Sequence, residues 1–181
     1  MGILFLQPVL SMQMTNPPLI VTLAMGKEAT ALFNQLRIAH FPPERNFIDA
    51  HLTLFHALPN EPAITNTIKE AATTQKPFEL RITAPVSIGK GVAFKVESSE
   101  LQSLHSRLQK HWKDVLTAQD KQKLWPHITI QNKVPPAEAK ALLEQLLADF
   151  SPMQTIAAGL QLWEYLGGPW GFVGEYEFTA T

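Results

Sequence analysis

Pro126-His127-Ile128-Thr129-Ile130-Gln131 decides the reading of this chain, because its His-apolar-Thr-apolar core repeats one already present at His51-Leu52-Thr53-Leu54-Phe55. In an extended strand successive side chains alternate between faces. His and Thr therefore share one face of each stretch, and the apolar pair takes the other. Each copy predicts a strand that shows a polar pair to one side and a core to the other. With 6 His and fourteen Thr among 181 residues, composition alone supplies on the order of 0.1 such tetrads. Two copies call for an explanation beyond β-propensity.

The composition frames that explanation. At 45% apolar and 17% charged the chain is an ordinary globular one, long enough for one sizeable core or two small lobes sharing one. We expect a single domain over residues 18–181, preceded by a flexible leader over 1–17 whose apolar run is broken by Pro8 and is too short to span a bilayer. With no other run of transmembrane length, a cytoplasmic protein with no membrane partner is expected. A formal net charge of −1 argues against a broad basic footprint for nucleic acid. The charge is uneven, however. Residues 101–133 carry six Lys or Arg against two Asp, whereas residues 134–181 carry one Lys against six acidic residues. Such a basic run is ordinarily a solvated helix face, but it leads into the second motif and would attract a phosphate. No cysteine is present, which excludes disulfides and thiol nucleophiles.

Along the chain, the continuous apolar run Leu19 to Met25 reads as a buried strand. Ala29, Leu32, Phe33 and Leu36 place a helix before Pro42-Pro43. The first motif strand, His51 to Leu58, is closed by Pro59 and followed by a helix over Glu61 to Thr74. An alternating strand over Phe78 to Thr83 and a strand pair over Val86 to Val96, turning at Gly89-Lys90-Gly91, come next. Ser99-Glu100-Leu101-Gln102 has capping-box spacing for a helix. After the second motif, Pro135-Pro136 opens another helix, and strands over Thr155 to Leu166 and Phe172 to Phe178 flank the turn-forming Gly167-Gly168-Pro169-Trp170-Gly171. Both halves run helix, loop, His-x-Thr strand, helix. That is an α+β layout of two lobes related by a pseudo-two-fold, with His51 and His127 on opposite sides of one groove.

Two histidines across a cleft suit in-line displacement at phosphorus, since one imidazole takes a proton from the attacking oxygen while the other protonates the leaving one. An unperturbed pKa of about 6.5 lets both forms exist near neutrality. Thr53 and Thr129 would hydrogen-bond the non-bridging oxygens, where charge builds in the transition state. Two positions further along, Phe55 and Gln131 should share the motif face and line the same groove. Tyr165 and Trp170, beside the glycine-rich turn, are candidates for stacking on a base, Trp125 and Phe172 are weaker ones, and Trp163, on the same strand face as Tyr165, reads as packing. His56, an odd number of residues from His51, should point to the opposite face. His105 and His111, six apart on a helix, lie about 240° from each other. We therefore expect no metal site and no cofactor.

The HLTL and HITI motifs, 76 residues apart in a chain of this length, resemble the paired motifs of the 2H phosphoesterases, the superfamily of 2′,5′ RNA ligase-like proteins and 2′,3′-cyclic phosphodiesterases. The resemblance runs from about Pro18 to the end. It implies a two-lobed, pseudo-symmetric fold with antiparallel-rich sheets facing a central groove and helices outside, and it places the catalytic roles on His51 and His127 and the phosphate contacts on Thr53 and Thr129. It also implies a metal-independent cyclic phosphodiesterase acting on a nucleotide or RNA terminus, with 2′,5′ ligation as the reverse reaction. One sequence leaves open which histidine is the acid and which the base; our working assignment takes His51 as the acid toward the leaving ribose oxygen and His127 as the base toward water. A monomer is expected. The alternatives are a non-catalytic nucleotide- or RNA-binding module, or a phosphodiesterase for another small nucleotide such as an ADP-ribose cyclic phosphate or a 2′,5′-oligoadenylate. The near-neutral charge and the lack of an arginine-rich run before His51 count against a large structured RNA.

Overall fold

Continuous apolar runs make the central strands, and alternating ones make the rest. The computed structural model describes residues 16–181; apart from its last two residues, the leader expected over 1–17 lies outside the described residues. The elements are β1 (Leu19–Met25), α1 (Lys27–His40), β2 (Leu52–Leu58), α2 (Pro62–Thr74), β3 (Phe78–Ser87), β4 (Val92–Glu97), α3 (Ser99–His111), β5 (His127–Gln131), α4 (Pro136–Asp149), β6 (Met153–Tyr165) and β7 (Trp170–Glu177). β1 is buried along almost its whole length, as an all-apolar strand should be. Helix α1 stops at His40 because Phe41 precedes Pro42, and the residue before a proline is pushed into extended backbone.

Several boundaries shift by a residue or two from the sequence reading; β6 starts at Met153, and Trp170 and Gly171, read as turn, belong to β7. The segment over 78–87 is one strand rather than two, its break absorbed by a bulge between Ile82 and Ala84. The cap of α3 is Ser98, one residue earlier than expected; its hydroxyl accepts from the Leu101 N–H at 3.3 Å.

All strand pairs are antiparallel, in the order β2-β1-β6-β3-β4-β5, with β7 added to β6 beyond the end of β3. That order is symmetric about the β6–β3 pair. Each half supplies a strand, a helix, a motif strand, a helix and a last strand, and the last strands are exchanged: β3 pairs β4 of the second half, and β6 pairs β1 of the first. The motif strands β2 and β5 thus sit at the two ends of the order, yet they touch each other. The sheet is curled into a half-barrel.

The helices seal the curl by crossing between halves. α1, which precedes β2, packs on β5, with Phe33 against Phe94 of β4 at 5.0 Å between ring centroids. Residues of the α3 region pack on β2, where the Phe55 ring meets His105 at 4.6 Å and Trp112 at 5.0 Å. One apolar core joins Val21 and Leu23 of β1, Phe94 of β4, Leu160 and Leu162 of β6, and the buried faces of the helices. No described helix is long and apolar enough to cross a membrane.

Candidate active site

Register decides what the groove face shows. Thr53 lies opposite Thr22 and Leu52 opposite Leu23, so β2 enters the sheet with Thr53 on the face away from the core. The same holds in β5, where Thr129 lies opposite Ala93 and Ile128 opposite Phe94. Directly after each threonine the register slips by one residue. Phe55 then lies opposite Val21, and Gln131 opposite Val92, both core residues. A β-bulge inserts one residue and inverts the facing of everything beyond it.

This corrects three expectations. Phe55 does not line the groove; it is fully buried in the core against His105 and Trp112. Gln131 likewise turns inward, 2% exposed, with its Nε2 donating to Glu138 of α4 at 3.3 Å and its Oε1 without a partner among the described residues. His56 is inverted the other way, onto the groove face, where it shares a cavity with Thr53 and His127.

The two motif histidines are held alike. Nδ1 of His51 lies 2.7 Å from the carbonyl of Asp49, and Nδ1 of His127 lies 2.8 Å from the carbonyl of Trp125. A carbonyl only accepts, so the Nδ1 positions carry the protons and both Nε2 atoms are left for a ligand. Each ring also rests on a tryptophan, His51 against Trp170 at 4.8 Å and His127 stacked on Trp125 at 4.3 Å. The sequence reading ranked Trp125 low, although its position two residues before His127 is the signal that places it there.

Burial lowers the proton affinity of both rings. His51 is pushed down to about 4, first by burial and then by the positive charges of Arg37, His127 and His56, against the bond from the Asp49 carbonyl. His127 is also lowered, again mainly by burial, with the Trp125 carbonyl opposing.

Two cavities flank the pair. About 310 Å3 opens beside Thr53 and His127, walled by His56, Gln119, Lys123 and Trp125. About 100 Å3 opens beside His51, walled by Asp49, Gln161, Trp163 and Trp170. Trp163, read from the sequence as packing, is pinned there: its indole N–H donates to the Thr22 hydroxyl at 2.9 Å, which donates to Gln161 Oε1 at 3.1 Å. Tyr165 lies at the outer end of β6, opposite Trp170 in register and 39% exposed. A larger cavity of about 700 Å3, between Met25, Lys27, Pro77 and Phe178, holds neither histidine. Among the described residues no three His, Asp or Glu side chains cluster as a metal ion would require.

Two fixtures that the motifs do not announce hold this arrangement. Arg37, 5% exposed, donates from Nε to Asn46 Oδ1 at 2.8 Å and to the Ile48 carbonyl at 3.0 Å, and from Nη1 to the Thr129 carbonyl at 2.9 Å. Asp120, 3% exposed, accepts from the N–H groups of His56 and Ala57 and from His56 Nδ1, all between 2.9 and 3.0 Å.

Comparison with known proteins agrees with this geometry. The family described as the 2′-5′ RNA ligase superfamily matches residues 26–169. Similar solved structures include TT0787 of Thermus thermophilus, with a TM-score of 0.62 at 15% identity over 90% of this chain and 98% of that one. A phosphoesterase crystal structure gives 0.59 and 17% over 91% and 99%. Escherichia coli LigT, crystallised with 3′-AMP, gives 0.57 and 16% over 91% and 99%. No curated protein sequence matches significantly. At these identities the structural likeness establishes the fold, and the match over most of the chain establishes the family: this chain belongs to the 2′-5′ RNA ligase superfamily, among the 2H phosphoesterases.

Proposed function

We propose that the protein is a cyclic phosphodiesterase that opens the 2′,3′-cyclic phosphate of a nucleotide or RNA end to a 2′-phosphate. The reading rests chiefly on one observation, the pair of histidines tied by Nδ1 to the carbonyl two residues before each, with a threonine on the same face two residues after. Water attacks phosphorus and gives its proton to Nε2 of His127. The P–O3′ bond breaks, and His51 delivers a proton to O3′. Thr53 and Thr129 donate to the non-bridging oxygens as charge builds. Trp170 and Trp163 on one side and Trp125 on the other offer faces for a base. That E. coli LigT has been crystallised with 3′-AMP and with ATP supports a nucleotide ligand here as well.

Hydrolysis of nucleoside 2′,3′-cyclic phosphates in the presence of EDTA, with the product phosphate located by phosphorus NMR, tests the reading. We expect a 2′-phosphate, and a loss of at least about 10²-fold in turnover for His51→Ala and for His127→Ala, the lower range of a general acid or base. A substrate with sulfur in place of O3′ needs no proton to expel its leaving group. It should restore turnover to His51→Ala and not to His127→Ala; the opposite result would reverse the two roles. Tight nucleotide binding with no turnover between pH 5 and 9 would instead favour a binding module.

A further inference from the structure

The cavity between Thr53, His127, His56 and Lys123 is built for more than the scissile phosphate. Its wall is a histidine backed by a buried carboxylate. Asp120 takes all three of its donors from β2, and the outcome for its carboxyl is set by opposing effects: burial raises its proton affinity, but the bonds from His56 and Ala57 outweigh that and hold it below the ordinary value. Because a carboxylate only accepts, the bonded Nδ1 of His56 carries its proton, and Nε2 is the nitrogen left over for the cavity. A second proton on that ring forms an imidazolium whose charge Asp120 already balances. The imidazole is 45% exposed while its carboxylate partner is 1% exposed, so the pair presents only its imidazole to solvent.

The opposite wall is equally fixed. Lys123 and Trp125 sit on the segment between α3 and β5, which α3 holds through Gln109 Nε2 to the Asp120 and Gln122 carbonyls at 2.9 and 3.0 Å and Gln102 Nε2 to the Leu124 carbonyl at 3.1 Å. Lys123 is exposed and forms no ion pair among the described residues. Extended backbone from Thr53 to His56 covers at most about 10 Å, the scale of one nucleotide.

We infer that this cavity is a second-phosphate subsite, in which His56 and Lys123 hold a phosphate one nucleotide unit away from the scissile one. The inference rests on the cyclic phosphodiesterase reading and sharpens it. The preferred substrate carries at least two phosphates, as a nucleoside 5′-phosphate 2′,3′-cyclic phosphate or as the cyclic-phosphate end of an oligonucleotide. Charge-assisted bonds to both His56 and Lys123 would supply the discrimination.

Three substrates separate the possibilities: a nucleoside 2′,3′-cyclic phosphate with a free 5′-hydroxyl, the same with a 5′-phosphate, and a dinucleotide ending in the cyclic phosphate. Wild-type protein should show kcat/KM at least tenfold higher for the second and third than for the first. In His56→Ala and in Lys123→Ala that ratio should fall toward one, mainly through KM. No preference in the wild type would overturn the subsite, as would a preference for the dinucleotide alone, which would mean that the neighbouring nucleoside is read instead. Equal losses on all three substrates in both variants would make the His56 wall merely structural and overturn it too. If wild-type protein turns over none of the three, the phosphodiesterase reading itself fails. The subsite then stands or falls on tryptophan fluorescence titrations, where a nucleoside 3′,5′-bisphosphate must bind at least tenfold more tightly than the 3′-monophosphate and lose that margin in Lys123→Ala.

Discussion

The protonation of His51 and His127 is set by what covers them. His51, against Trp170 and near the cationic Arg37, is pushed down to about 4, and His127 is also lowered from the same ordinary value of about 6.5. An acid–base pair works when one ring is protonated and the other is not. The kcat/KM profile of the free protein should therefore be a bell with its optimum below about 6.5 and its acid limb near about 4, whichever ring is the acid. Trp170→Ala admits water to His51, so its acid limb should move toward 6.5. A profile still rising above pH 8 would rule out these two rings as the titrating pair. The same shift acts on stability. Between about 6.5 and about 4 the unfolded chain binds a proton that folded His51 refuses, so stability rises with pH through that window and is lost on acidification.

At the scale of elements, the bulges after Thr53 and Thr129 shape the site more than any single side chain. They end the alternation that shows His and Thr to the groove, turning Phe55 and Gln131 into the core and His56 out to the groove. Phe55 illustrates the consequence. Phe55→Leu should lower stability by about 1–2 kcal/mol, within the range of an ill-fitting core replacement, and leave KM for a nucleoside cyclic phosphate within about twofold. Thermal unfolding and steady-state kinetics decide this, and a raised KM at unchanged stability would return Phe55 to the groove. The motif pair was legible from the sequence because His and Thr at i and i+2 need only local alternation. So were β1 and the helix starts at Pro62 and Pro136, which depend on apolar runs and proline. The facing of Phe55, His56 and Gln131 was not, because a bulge leaves no mark in composition or period: it arises from pairing with a strand far away in sequence. Asp120 was invisible for the same reason, its partners lying 63 and 64 residues away.

For the molecule as a whole, the question is what keeps two edge strands, each from a different half, at a fixed separation. The exchanged strands β3 and β6 join the halves at the middle of the sheet, far from the site in strand order. Near the site the joint is polar and reciprocal. Asp120, on the segment leading to the second motif, caps backbone N–H groups of the first motif strand. Arg37, from the first half, holds both the loop that delivers His51 and the backbone of Thr129. Its guanidinium, over the Phe41 ring at 3.9 Å, is pushed down to about 10 by burial, opposed by the charge of Asp49, and so stays cationic at neutral pH. A lysine cannot reproduce that fork. Arg37→Lys leaves buried acceptors without donors, at a cost of about 1–3 kcal/mol. If the fork also sets the spacing of the histidines, a displacement of about 1 Å is enough for a loss of about 10²-fold. We therefore expect kcat for a cyclic phosphate to drop between about 10-fold and 10²-fold with KM changed far less, measured well below the variant's Tm. An unchanged kcat alongside a lowered Tm would reduce Arg37 to a clamp on stability and leave the geometry of the two histidines to the sheet alone.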